Sequence, residues 1–159
     1  MKRRSFVASI AALGGLFAVH RASHSASKAG DKQWDLSDEQ WRKRLTPEQF
    51  HVLREEGTER AGSSALNAEK RKGTFACAGC DLPLFKSDTK YESGTGWPSF
   101  YDFIPGSLGT KTDYKIIYPR TEYHCIRCGG HQGHVFDDGP KPTGKRYCNN
   151  GLALKFMAS

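Results

Sequence analysis

Two short cysteine pairs limit what this chain can fold into more than any other feature. Cys77 and Cys80 form one C-x-x-C pair and Cys125 and Cys128 a second, with 44 residues between them. A C-x-x-C turn lets two thiolates face one point, and two such turns supply the four sulfurs of a tetrahedral metal site. The separation exceeds that of a simple zinc finger, so the pairs must sit on two separate hairpins that the fold brings together. Four sulfurs leave no open coordination position. The expected metal is therefore structural, a single Zn2+, with iron as the alternative. Redox-active pairs or two disulfides are the other uses that this spacing allows.

The fifth cysteine, Cys148, lies in Arg146-Tyr147-Cys148-Asn149-Asn150 and has no counterpart. An odd thiol points to an intermolecular partner or a reactive group; a lone buried cysteine can also be a small hydrophobe. Arg146 stands two residues away, on the same face of a strand. His131 and His134 lie upstream. Cations beside a thiol favour the thiolate and lower its pKa from ~8.5 into roughly the 3.5–7.5 range. Asn149 and Asn150 offer amides, and Gly94-Thr95-Gly96-Trp97-Pro98-Ser99-Phe100 an aromatic face between glycines. Taken alone, His131 and His134 fit structural roles equally well, and Trp97 fits a core.

The net charge of +7 first suggests a nucleic-acid or membrane partner. Its distribution excludes that reading. Residues 1–30 hold Lys2, Arg3, Arg4, Arg21 and Lys28 and no acid, which leaves 19 basic against 17 acidic residues in the other 129, a net of +2. The leader itself has an export pattern. A basic start is followed by an apolar run from Phe6 to Val19, too short to span a membrane and suited to a signal peptide. The adjacent arginines followed by Ser5 and Phe6 favour twin-arginine export to the periplasm over an ordinary secretory signal. That route carries folded proteins and would protect a loaded four-cysteine site from oxidation. The expected organisation is an export signal and flexible leader over 1–30 and one functional domain over 31–159, without stable membrane insertion or a nucleic-acid partner.

Two short helices open that domain. Ser37 with Gln40 and Thr46 with Gln49 read as capping boxes, the second with Pro47 at the first helical position. Gly57 reads as the second helix's stop. Trp34, Trp41, Phe50 and Leu53 should cover a sheet. Beyond Ser64 helical periodicity gives way to short aromatic and β-branched runs: Gly73–Ala76, Asp113–Tyr118, Thr121–Ile126, His134–Phe136, Lys145–Asn149 and Leu152–Phe156. Tyr114–Tyr118 and Leu152–Phe156 are the clearest strands. The fold class expected is mostly β, with antiparallel sheets, a short helical N-terminal flank, a four-cysteine zinc site and a preceding signal peptide.

Five separated motifs in order resemble the B-type peptide-methionine (R)-S-oxide reductases. They are Cys77-x-x-Cys80, Ser93–Phe100, Cys125-x-x-Cys128, His131-Gln132-Gly133-His134-Val135-Phe136-Asp137-Asp138-Gly139-Pro140, and Arg146–Gly151 followed by Leu154-Lys155-Phe156. With the helical flank the resemblance covers residues from about 35 to 157. It implies a β domain with one structural Zn2+ and a nucleophilic Cys148 that attacks the sulfoxide sulfur. His134 and His131 would donate the proton to the leaving oxygen. Trp97 would pack the substrate methyl, Asn150 would polarise or position, and Arg146 and Asp138 would hold the substrate main chain. Substrates would be oxidised proteins or free methionine sulfoxide, in repair of oxidative damage, and the protein is expected as a monomer.

Three positions depart from that family's pattern. Thr95 occupies the variable position of the Ser-Gly-x-Gly-Trp-Pro-Ser-Phe segment, where close relatives can carry a second, resolving cysteine. With four cysteines on the metal, no partner for Cys148 remains. The cycle expected is therefore single-cysteine, with the Cys148 sulfenic acid attacked by an external thioredoxin-like or glutaredoxin-like thiol; resolution by a metal-site cysteine is the alternative. Gln132 replaces a usual leucine, and Asn149 stands where an apolar residue is common.

Overall fold

The computed structural model describes residues 32–159, so the export leader expected over 1–30 lies outside the described residues. Helices α1 (Asp38–Arg42) and α2 (Pro47–Glu55) come first. Nine strands follow: β1 (Gly73–Cys77), β2 (Pro83–Lys86), β3 (Lys90–Tyr91), β4 (Ser99–Phe100), β5 (Leu108–Asp113), β6 (Arg120–Cys125), β7 (His131–Phe136), β8 (Arg146–Asn149) and β9 (Leu154–Ala158). They make two antiparallel sheets, ordered β2-β1-β9 and β3-β4-β8-β7-β6-β5.

Both helix starts are the capping boxes read from the sequence. Gln40 N–H donates to Ser37 Oγ and Ser37 N–H to Gln40 Oε1, and Thr46 and Gln49 repeat the exchange. Each start thereby satisfies amides that a helix leaves unpaired. The expected stop at Gly57 is displaced by one residue: Glu56 takes the left-handed conformation, φ 55°, and ends α2. Gly57 follows it, packed under the His51 ring.

The sheets meet through aromatic rings. Phe75 and Phe85 of the smaller sheet face Phe100, Tyr123 and Tyr147 of the larger. Phe85 stacks on Phe100 with centroids 4.2 Å apart, and Phe75 meets Phe100 edge-on at 5.0 Å. Along β8 the two-residue period turns Tyr147 and Asn149 toward this core and Arg146 and Cys148 to the opposite face. Asn149 is wholly buried, and its Oδ1 accepts from Tyr123 Oη at 2.8 Å. Its Nδ2 approaches Gln132 Oε1 at 3.5 Å, and Gln132 Nε2 lies 3.4 Å from Cys77 Sγ. The two polar departures from the family pattern thus form one buried amide chain.

Trp41, Phe50 and Leu53 are buried as expected, but they cover the cysteine turns as well as strands. The Trp41 ring lies over Gly79, Leu53 over Gly130, and Arg54 Nη1 donates to Cys128 O at 2.9 Å.

Two of the expected strands need correction. Tyr114–Tyr118 is not a strand: β5 ends at Asp113, the first residue of the expected run Asp113–Tyr118. Its last pair is Asp113 with Arg120. Asp113 Oδ1 captures Lys115 N–H at 2.8 Å, and Pro119 has no N–H for a ladder, so the chain leaves the sheet as a hairpin tip. β5 itself, Leu-Gly-Thr-Lys-Thr-Asp, is an edge strand with polar residues facing water and shows no apolar alternation. The last strand starts two residues later than expected, because Gly151–Ala153 forms a 3-10 turn. No described helix is long and apolar enough to cross a membrane.

Candidate active site and cysteine cluster

The register of the large sheet places Cys148 between Ser99 of β4 and His134 of β7. Directly paired residues on antiparallel strands share a face with Cβ atoms ~5 Å apart. Cys148 and His134 are therefore side-by-side neighbours although they stand 14 positions apart in sequence. Gly133 permits the close approach: a Cβ there would lie 1.9 Å from Cys148 O. A bulge at Gln132 turns His131 back toward His134, and the two rings meet at 5.5 Å.

Cys148 opens into a cavity of about 120 Å³, also lined by Thr58, Trp97, Arg120, His134, Phe136 and Asn150. Of the residues expected in the site, Trp97, His134, Cys148 and Asn150 converge here. Arg146 and Asp138 do not line the cavity. They pair with each other, Nε to Oδ1 at 2.8 Å and Nη2 to Oδ2 at 2.9 Å, with the guanidinium over the Phe136 ring. His131 lies behind, 2% exposed, with Nδ1 on Glu122 Oε1 at 2.7 Å and no protein partner for Nε2.

Three carboxylates that the sequence did not single out hold this arrangement. Asp113 Oδ2 takes His134 Nε2 at 2.8 Å and Arg120 Nη2 at 2.7 Å. Its own pKa is held far below the ordinary carboxylate range by the Lys115 N–H, with His134 and Arg120 adding to the effect against burial. Glu122 bridges His131 and His124; burial opposes its charge, but those two hydrogen bonds prevail and lower its pKa to about 2. Glu59 is a buried junction. Its carboxylate accepts from the N–H groups of Gly151 (2.6 Å) and Leu152 (2.9 Å), its N–H donates to Asn150 Oδ1, and its carbonyl accepts from Trp97 Nε1. Asn150 Nδ2 donates to Gln132 O at 3.1 Å. Both ends of the Asn150 amide thus hold backbone, and through Glu59 they fix the indole of Trp97.

The electrostatics of Cys148 correct the expectation of a cation-stabilised thiolate. Burial pushes the thiol above its ordinary value, and this outweighs the charge of Arg146 and the hydrogen bonds from Thr95 and Arg146. Burial is the main cause, and the Asp138 carboxylate, paired with Arg146, adds a smaller push in the same direction. Burial likewise lowers His134 below the ordinary imidazole value, against the opposing pull of Asp113. At neutral pH both groups rest uncharged. Alkylation of Cys148 by iodoacetamide should accordingly be slow at pH 7 and rise with pH to a midpoint above the ~8.5 of a free thiol. Peptide mass spectrometry of timed reactions measures it, and a midpoint near 6 would contradict it.

The remaining four thiols are buried and mutually close. Cys77, Cys80, Cys125 and Cys128 place their sulfurs within 4.8 Å of one another, with Cys77–Cys128 at 3.7 Å and Cys80–Cys125 at 3.4 Å. A disulfide would need ~2.05 Å, and all five cysteines are free. Sulfurs ~2.3 Å from one tetrahedral centre stand ~3.8 Å apart, so the donor set fits a metal ion. The two turns match. Asp81 N–H closes onto Cys77 O and Gly129 N–H onto Cys125 O, both at 2.9 Å, and Asp81 and Gly129 both have left-handed φ, 59° and 69°.

Comparison with known proteins bears on the whole assembly. The SelR domain model matches residues 45–158. Peptide methionine sulfoxide reductase MsrB of Methanosarcina barkeri is 55% identical over 132 residues, covering 82% of this chain and 90% of the relative. MsrB of Leptospira interrogans is 55% identical over 122 residues, 76% of this chain and 93% of the relative. The chloroplastic reductase B1 of Arabidopsis thaliana is 54% identical over 124 residues, 77% of this chain and 61% of that longer protein. With the domain model spanning the cysteine cluster, the cavity and Cys148, and two of these relatives matched over at least 90% of their length, the chain belongs to the SelR-domain family of MsrB proteins.

Proposed function

We propose that this protein reduces methionine (R)-sulfoxide to methionine, in polypeptides and as the free amino acid, with Cys148 as the nucleophile. The observation that carries the reading is the pairing of Cys148 with His134 in a cavity walled by Trp97 and Phe136, while every other thiol is drawn into the buried cluster. The aromatic walls suit a methyl thioether group, which makes favourable sulfur–ring contacts.

A carboxylate as acidic as Asp113 cannot donate, so His134 Nε2 carries the proton toward it and Nδ1 remains an acceptor. The Cys148 proton passes to that nitrogen, directly or through one water, and Asp113 stabilises the imidazolium. The thiolate then bonds to the sulfoxide sulfur as the imidazolium returns the proton to the oxygen, and the resulting hydroxyl moves from the substrate sulfur to the Cys148 sulfur as the bond between the two sulfurs breaks. Two electrons move from the Cys148 sulfur to the substrate sulfur. The oxygen ends on Cys148 as sulfenic acid, and methionine leaves. His131, held by Glu122, supports His134 from behind and supplies a second proton source. Arg146 and Asp138, fixed to each other beside Phe136 of the cavity wall, position the substrate main chain. An external thioredoxin-like or glutaredoxin-like thiol attacks the sulfenic acid, releasing water and leaving a mixed disulfide; a second thiol frees Cys148. Thr95, where a resolving cysteine could stand, instead carries a hydroxyl that pairs with Ser93 Oγ at 2.8 Å and favours the Cys148 thiolate.

The four-cysteine cluster holds one structural Zn2+ in this reading, supported by its donor set and spacing. The basic and apolar leader directs the protein to the periplasm by twin-arginine export, and the domain works as a monomer. One experiment tests the chemistry. The protein is reacted with each sulfoxide epimer without reductant, then analysed by mass spectrometry. About one methionine per chain from the R epimer alone, with one oxygen on Cys148 trappable by dimedone, is the expected result. Turnover of the S epimer would refute the stereochemical reading, and a Cys148 disulfide within the chain would refute the single-cysteine cycle.

A further inference from the structure

Four of the six large apolar side chains that stand exposed among the described residues fall within five consecutive positions. Tyr114 is 77% exposed, Ile116 49%, Ile117 93% and Tyr118 77%. They form the tip of the β5–β6 hairpin, and none belongs to the hydrophobic core. An apolar patch of this kind on a soluble domain marks an interaction site.

The tip is tied to the cavity at both ends. Arg120, its last flanking residue, lines the cavity, and Asp113, its first, holds His134. Asp113 also fixes the first turn through Lys115 N–H, and Lys115 Nζ pairs with Glu56, two residues before Thr58 of the cavity wall. The cavity is sized for a side chain. A sulfoxide borne by a polypeptide must leave its backbone and neighbouring residues outside, and Arg120 carries the cavity wall to the base of this tip.

Building on the sulfoxide-reductase reading, we propose that the Tyr114–Tyr118 tip is the docking surface for the polypeptide carrying the methionine sulfoxide, and that it holds apolar residues flanking the oxidised methionine. Folded proteins keep such residues buried. The tip therefore selects unfolded or locally opened segments, and free methionine sulfoxide, which has no flanking residues, gains nothing from it.

The test uses Ile116→Ser/Ile117→Ser, neither residue being part of the cavity wall, with dithiothreitol as reductant. For oxidised, unfolded casein KM should rise by about tenfold or more at unchanged kcat, while kinetics on free L-methionine (R)-sulfoxide stay within about twofold. A parallel loss on both substrates would mean that the tip acts through Asp113 on His134, and would overturn the proposal, as would unchanged kinetics on casein. Two further results would reassign the surface and equally overturn it. One is a dimer that the substitution converts to monomer in sedimentation. The other is lost binding to phosphatidylglycerol–phosphatidylethanolamine vesicles with casein kinetics intact. Anisotropy of fluorescein-labelled oxidised casein scores docking without turnover. Should the unaltered protein reduce neither epimer yet bind casein through the tip, the catalytic reading would fall and the docking surface stand.

Discussion

Cys148→Ser should leave a folded protein with no measurable sulfoxide reduction, a loss of at least about 10^4-fold in kcat on either form of substrate. Two reasons combine. The serine hydroxyl is far less acidic than a thiol, and burial makes His134 a weaker base than an ordinary imidazole. More decisively, the reaction deposits an oxygen and a two-electron oxidation on the nucleophile. Sulfur accepts both as a sulfenic acid, and a serine oxygen has no comparable product. The fold should tolerate the change within about 0.5 kcal/mol, because the side chain is half-buried, nearly isosteric and outside the core cluster. Turnover assays beside thermal unfolding check both halves. A Cys148→Ser protein that kept its activity would make Cys148 an inert thiol and leave a metal-stabilised binding module as the better description.

The features legible in the sequence are those whose signal is local. Both capping boxes, the two cysteine turns and the alternation that sets Arg146 and Cys148 on one face of β8 need fewer than six residues to recognise. Cys148 stood out by count, because four of five cysteines were already claimed. Trp97, Asn150 and His134 stood out as residue types near Cys148, took their roles from the family motifs, and are gathered with Cys148 in the structure. The carboxylates were not legible. Asp113 reaches His134 across 21 residues and Glu59 reaches Gly151 across 92, and each is an ordinary acid in its own segment. Nor could spacing show that burial, with a smaller push from the Asp138 carboxylate, would leave Cys148 protonated. Tyr114–Tyr118 misled for a related reason. Its apolar, β-branched run has strand propensity, but Asp113 and Pro119 turn it out of the sheet, and such a run has a use in water only if something binds it. Gln132 and Asn149 looked like two unrelated departures. Only the bulge in β7 reveals them as hydrogen-bonding neighbours between Cys77 and the strand of Cys148.

Removing the metal should cost more than activity: it should unfold the domain. Cys77 and Cys80 lie at the end of β1 in the smaller sheet, Cys125 and Cys128 at the end of β6 in the larger. One ion on all four would therefore fasten the two sheets together at one edge of the aromatic core. Structural zinc supplies ~10–16 kcal/mol of apparent binding free energy, against a total stability of ~5–15 kcal/mol for a domain of this size. The metal-free chain should consequently be largely unfolded at 25 °C. It would also leave four buried thiols crowded together, and Gln132 Nε2 would lose the thiolate it faces across 3.4 Å. That contact leads through Asn149 to β8, so the cavity should loosen as the cluster does. Pure protein is expected to hold about one zinc per chain. A chelator should release it together with helix and sheet signal by circular dichroism and with the fluorescence of Trp41, whose ring lies over Gly79 in the first cysteine turn. Cys77→Ser and Cys125→Ser should each reproduce the loss, since either leaves three ligands and an incomplete fastening between the sheets. A metal-free protein that melted cooperatively and reduced sulfoxide at the full rate would refute the structural role. Release of zinc during turnover without reductant, in protein that stays folded, would instead implicate a cluster cysteine in resolving the Cys148 sulfenic acid.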